Sequence, residues 1–158
     1  NGKKLLNKAV FETRSISHNI MPRSLEIFGL EQTLYELVDT IEQINKNIDI
    51  NLEIISSGQR LNSDLELAIY RAAQEIINNT LKHAKADHLN IKFGIKDNLV
   101  FLEIQDNGIG FDIESDAQKT KNGIGLKNLS HRMETIGGVL FIHSEKGKGT
   151  IITIKIKI

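Results

Sequence analysis

Apolar residues recur along this chain with two different periods. From Lys3 to Ile20 the spacing is helical, with Leu5, Leu6, Ala9, Val10, Ile16 and Ile20 as its apolar positions. Met21-Pro22 ends that pattern, because the residue before a proline is pushed out of the α region. Ser24 to Gly29 reads as a connector and Leu30 to Ile44 as a second helix, with Leu34, Leu37, Val38 and Ile41 on one face. The period then drops to two. Ile48, Ile50, Leu52 and Ile54 alternate with Asp49, Asn51 and Glu53, which predicts a strand. A turn containing Gly58 follows, and Ser63 or Asp64 is the expected N-cap of the next helix.

Leu65 to Ala84, LELAIYRAAQEIINNTLKHA, predicts one helix of about five turns. At roughly 100° per residue, Arg71, Glu75, Asn78, Asn79 and Lys82 share an arc of about 100°. Most of the remaining circumference is apolar. A narrow stripe of carboxylate, carboxamides and cations on an otherwise buried helix is expected to line a pocket, or else to be a solvated face. Glu75 and Asn79 are neighbours four residues apart, and a carboxylate beside a carboxamide oxygen suits a hydrated Mg²⁺.

Two hairpins come next. Leu89, Ile91, Phe93 and Ile95 alternate, Lys96-Asp97-Asn98 turns, and Val100, Leu102 and Ile104 alternate again. Ile124 to Ile136 is helical and closes on Gly137-Gly138. Val139 to Ser144, a turn at Glu145 to Gly149, and Ile151 to Ile158 form the second hairpin. The expected fold is α+β: a two-layer sandwich of a mixed, mostly antiparallel sheet against three helices, plus an N-terminal helix.

Composition narrows the function. Twenty basic and twenty acidic residues give zero formal net charge, so bulk charge does not point to nucleic acid. There is no cysteine, hence no disulfide or thiol chemistry. No apolar run approaches the roughly 18 residues that span a membrane. The chain starts without Met and is read as an excised fragment, with an anchor in the parent protein left open.

Eight of the 12 glycines lie between residues 108 and 149. DNGIGF, Asp106 to Phe111, sets a carboxylate at a strand end just before a glycine turn. Such a carboxylate can accept from an exocyclic amine; read alone, Asp-Asn-Gly is equally a β-turn. NGIGLKNL, Asn122 to Leu129, has glycines opening a helix, where free N–H groups favour phosphate, although an ordinary loop entering a helix explains it too. GKGT, Gly147 to Thr150, is explained by a hairpin turn, and Thr150 stands where a hydroxyl can meet a base edge.

Taken in order, these pieces resemble the GHKL ATPase superfamily, over roughly residues 30 to 158. QEIINNTLKHA is similar to its N box, DNGIGF and GIGLKNL to its G1 and G2 boxes, and GKGT to the last G box. The resemblance implies ATP and Mg²⁺ as ligands. It implies that Glu75 positions the attacking group, Asn79 holds the metal and Lys82 approaches phosphate. By the same resemblance Asp106 is implied to meet the adenine amine with Gly108 and Gly110 beside it, Gly123, Gly125 and Leu126 to lie beneath the triphosphate, and Thr150 to lie near the base. Asp112 to Asn122 corresponds to a short lid.

The short lid and GLKNLSHRMETIGG are similar to nitrate-sensor-like sensor histidine kinases. ETRSISHNIMPRSLEIFGLEQTLYELV resembles the second helix of that class's dimerisation module. Residues 1–27 are therefore expected to be the end of that module and 28–158 the catalytic domain. The implied activity is γ-phosphoryl transfer from ATP to a histidine outside the fragment, for relay to a response regulator receiver domain. The implied partners are that regulator and the chain's own dimerisation module or a second protomer, in the cytoplasm, without nucleic acid. His18 is read as structural rather than as the acceptor. Arg132 is placed either to reach phosphate or to sit on a solvated helix face. The alternatives are a serine kinase of anti-sigma type and a non-catalytic nucleotide-binding module.

Overall fold

The computed structural model describes residues 21–55, 58–112 and 121–158. The helix expected at Lys3 to Ile20, with His18, lies outside the described residues, as does most of the expected lid.

Helix α1 runs from Arg23 to Ile44 and is broken at Gly29, whose φ of 82° and ψ of −178° are open mainly to glycine. The expected connector at Ser24 to Gly29 is thus helical except at its last residue. Pro22 starts the helix, with its carbonyl accepting from Leu25 N at 2.9 Å. Leu25 is fully buried, and that burial holds the first turn against the body. Arg60 lies across the break. Its Nη2 donates to the Leu25 carbonyl at 3.2 Å, and its Nε donates to the buried Glu66 at 2.8 Å.

Strand β1 is Asp49–Ile55 and helix α2 is Ser63–Asn79. The N-cap of α2 is Asn62, one residue before the positions expected; its Oδ1 accepts from Leu65 N at 2.8 Å. Asn caps as well as Ser or Asp, so the register of the first turn decided between them. The central helix also does not continue regularly to Ala84. Thr80–Ala84 is a π-helical turn that ends in Lys85 at φ 52°. The wheel position of Lys82, drawn for a regular helix, does not carry over into this wider turn.

Strands β2 (His88–Lys96) and β3 (Leu99–Asp106) form the first hairpin. Asp97 and Asn98 both take positive φ, as a two-residue turn of this hand requires. Helix α3 is Lys121–Thr135, and strands β4 (Gly138–Glu145) and β5 (Gly149–Lys157) complete the chain. Gly137, at φ 75°, closes α3 by donating to the Glu134 carbonyl at 3.0 Å.

The sheet has five strands in the order β1-β2-β3-β5-β4. β1 pairs parallel with β2 and the other pairs are antiparallel. Among the described residues three helices cover one face, which is the expected two-layer α+β arrangement. Register places Ile91, Ile104 and Ile152 in one row, Phe93, Leu102 and Ile154 in the next, and Ile95, Val100 and Ile156 beyond it. All nine are buried beneath the helices. These rows meet Ile69, Ala72, Ala73, Ile76 and Ile77, the buried face of α2, within one core. No helix among the described residues is long and apolar enough to cross a membrane.

Candidate functional site at the end of the core

The core-facing side of the sheet has a fourth row. Continuing the same register past Ile91–Ile104–Ile152 gives Ile50, Leu89, Asp106, Thr150 and Ser144. The apolar ladder therefore ends in a carboxylate and two hydroxyls. Asp106 is 6% exposed and Thr150 is 7% exposed, so both are buried polar groups that need partners.

They have them. Thr80 Oγ1 donates to Asp106 Oδ2 at 3.3 Å, and Gly108 N donates to Asp106 Oδ1 at 2.9 Å. An ionised carboxylate accepts about four hydrogen bonds, so capacity for an incoming N–H remains. Thr150 Oγ1 and Ser144 Oγ are 3.0 Å apart, and Ser144 Oγ accepts from Phe111 N at 2.9 Å.

Backbone packing sets this geometry. Ile109 N donates to the Ala84 carbonyl at 2.7 Å, and Gly147 N to the Ile109 carbonyl at 2.7 Å. The strand-end loop is thus clasped between the π turn and the last hairpin. A Cβ on Gly108 would overlap the Ala84 carbonyl, and one on Gly110 would overlap the Glu145 carbonyl. Glycine here permits close approach of three backbone segments.

Glu75, Asn78 and Asn79 are part-buried on α2, and Lys82 is exposed in the π turn. Thr80 follows Asn79 directly, so the helical stripe leads to Asp106. Glu75 lies five residues before Thr80, about 7.5 Å along the helix axis. Its carboxylate meets α3. Arg132 Nη2 donates to Glu75 Oε2, and a Cβ on Gly125 would stand 3.6 Å from Glu75 Oε1. Gly123 and Gly125 lie inside α3 rather than in a loop ahead of it, because the helix already starts at Lys121. Leu126 packs part-buried against the core.

The sequence reading missed two contributors. Ser144 was legible only through the β4–β5 register, which sets it opposite Thr150. Thr80 was hidden by the regular wheel, which gives no reason for its hydroxyl to point at the sheet.

A second polar cluster borders the Asp106 loop. Asn107 Oδ1 accepts from Asp87 N at 3.2 Å and His88 N at 3.1 Å, and its Nδ2 donates to Asp87 Oδ1 at 2.7 Å. His88 Nδ1 lies 2.6 Å from Asp87 Oδ1. That hydrogen bond, then the charges of Asp87 and Asp49, raise the His88 pKa above its ordinary 6.5. The hydrogen bond from Asn107, then that from His88, lower the Asp87 pKa below 3.8.

A family model described as histidine kinase-, DNA gyrase B-, and HSP90-like ATPase matches residues 64–158. The chain belongs to this ATPase family. Over 137 residues the chain is 35% identical to the signal transduction histidine-protein kinase/phosphatase DegS of Bacillus subtilis, covering 85% of the chain and 36% of that protein. Over 154 residues it is 29% identical to the oxygen sensor histidine kinase NreB of Staphylococcus carnosus, covering 98% of the chain and 44% of that protein. The chain thus spans less than half the length of either relative.

The ATPase fold is shared with the histidine kinase domain of the blue-light activated histidine kinase EL346 of Erythrobacter litoralis. The TM-score is 0.66 at 19% identity, covering 81% of this chain and 60% of that one. Acinetobacter baumannii histidine kinase AdeS gives 0.63 at 19% identity, covering 98% and 82%.

The residues present fit ATP. A buried carboxylate with spare acceptor capacity suits an adenine amine. Among the described residues no group of three His, Cys, Asp or Glu is gathered to hold a metal. Magnesium in nucleotide sites is held largely by phosphate oxygens and waters with one or two protein ligands, so such a gathering is not required for it.

Two outcomes follow. Gly108→Ala lowers stability by about 1–3 kcal/mol in urea unfolding, because its Cβ meets backbone. Gly125→Ala, where the new Cβ meets only ordinary contact, leaves stability unchanged or raises it by up to about 1 kcal/mol. Second, His88 titrates above 6.5 by NMR in the parent chain and falls back toward 6.5 in Asp87→Asn. Because the folded pKa is the higher one, the stabilisation from this contact is complete below the unfolded value and fades as pH rises through the folded value. An unchanged midpoint in Asp87→Asn contradicts this.

Proposed function

We propose that this chain is the ATP-binding catalytic domain of a sensor histidine kinase, acting with Mg²⁺ to pass the ATP γ-phosphoryl group to a histidine that is not among its residues. The observation that carries the reading is the polar row at the end of the core. Asp106 is buried, hydrogen-bonded and still able to accept, directly below the end of the helix that bears Glu75 and Asn79. Family membership and the likeness to DegS and NreB, both histidine kinases, support the same reading.

In this reading ATP supplies the transferable phosphoryl group, and the chain's own residues bind and orient. Asp106 accepts from the adenine amine, and Thr80 and Gly108 N hold it in place. Thr150, fixed by Ser144, faces the base. Gly123, Gly125 and Leu126 of α3 lie beneath the phosphates, Lys82 offsets negative charge, and Asn79 ligates Mg²⁺. Glu75 orients the incoming imidazole. Positioning and charge neutralisation are what phosphoryl transfer chiefly demands.

The domain division is part of the proposal, with residues 1–27 ending a dimerisation module and 28–158 forming the catalytic domain. So are the partners: a response regulator receiver domain and the chain's dimerisation module or a second protomer, in the cytoplasm. The Glu75 carboxylate beside the Asn79 carboxamide favours a kinase over a pure nucleotide-binding module, which has no need of that combination.

Calorimetric titration tests the site. The parent chain binds Mg-ATP and Mg-ADP, and Asp106→Asn weakens both by about tenfold or more, since a buried charge-assisted acceptor is lost. Binding by neither protein contradicts the reading. Phosphohistidine on a separately made acceptor helix, formed when the chain and Mg-ATP are added, tests transfer; its absence under all conditions counts against the kinase.

A further inference from the structure

The Glu75 carboxylate already has a cation. Arg132 of α3 donates to Oε2, while Oε1 faces the backbone at Gly125. Gly125 and Arg132 are seven residues apart, about 10.5 Å along the helix axis. One carboxylate reaches both because long side chains on a helix lean toward its N-terminus. The guanidinium is therefore drawn back toward the helix turn that carries Gly125. Side-chain exposures of 47% for Arg132 and 28% for Glu75 leave the pair accessible to water. A pair so placed is weak enough to exchange partners.

The proposed function, on which this inference rests, puts phosphates over Gly125 and an attacking imidazole beside Glu75. The phosphate nearest the imidazole is the γ-phosphate. It would enter between a carboxylate that repels it and a guanidinium that attracts it. A guanidinium fork binds phosphate in two parallel hydrogen bonds, and a dianionic phosphate is the stronger partner.

We propose that Arg132 is a specificity-determining residue that reads the γ-phosphate. Without nucleotide it is held by Glu75. The third phosphate of ATP replaces Glu75 as its partner and frees the carboxylate for the imidazole. ADP is too short to do so and leaves the pair intact. Arg132 thereby distinguishes ATP from ADP and makes release of Glu75 depend on a transferable group being present.

The test is calorimetric titration of Mg-ATP and Mg-ADP into the parent chain and four variants. Arg132→Ala weakens Mg-ATP about tenfold while Mg-ADP stays within about twofold. Arg132→Lys, which keeps charge without the fork, falls between and also serves if the alanine variant is unstable. Glu75→Gln releases Arg132 and tightens Mg-ATP severalfold, again sparing Mg-ADP. In the double variant Glu75→Gln with Arg132→Ala, that gain disappears. Equal changes for ATP and ADP in Arg132→Ala, or a Glu75→Gln gain that survives the loss of Arg132, overturn the proposal. A parent chain that binds neither nucleotide overturns the nucleotide site itself, and the two failures are thus distinguishable.

Discussion

The Ala84 carbonyl is the point on which the site depends. It ends the π turn of the central helix and accepts the Ile109 N–H at 2.7 Å, with Gly108 pressed against it. This single contact ties helix α2 to the loop leaving β3. It fixes the height of Thr80 over Asp106, and through Ile109 and Gly147 it also holds the last hairpin. Had residue 108 any side chain, helix and loop would separate and the buried carboxylate would lose a donor.

The rest of the molecule supplies rigidity to that joint. Three rows of buried aliphatic and aromatic side chains zip β2, β3 and β5 beneath the helices, and the fourth row inherits their register. Asp106 and Thr150 are thus set by the same alternation that buries Ile104 and Ile152. A polar pair at the end of such a ladder is costly unless it is bonded, and here every buried side-chain polar atom among the described residues has a partner. A site so fixed can bind without first paying for order, which suits chemistry that relies on positioning.

Much of this was legible in the chain. Asp106 is in phase with Val100, Leu102 and Ile104, and Thr150 with Ile152, Ile154 and Ile156, so period-two alternation alone puts both on the core side. The strands, the Asp97-Asn98 turn and the Gly137 cap followed from local chemistry. Three features did not. The π turn has no propensity signature, and its last carbonyl, that of Ala84, is satisfied by Ile109 N from a loop 25 residues further on. Helix in Arg23 to Phe28 depends on burial of Leu25 in a distant core rather than on Ser24 or Gly29. The Glu75–Arg132 pair joins residues 57 apart, and helical periodicity cannot say which charges on two helices meet.

The most direct measurement is a crystal structure of the chain with Mg²⁺ and a non-hydrolysable ATP analogue. The account predicts the adenine amine within hydrogen-bond distance of Asp106 Oδ, with Thr80 and Gly108 still bonded to that carboxylate and the base beside Thr150. Nucleotide bound elsewhere, or Asp106 turned away from the base, would contradict it.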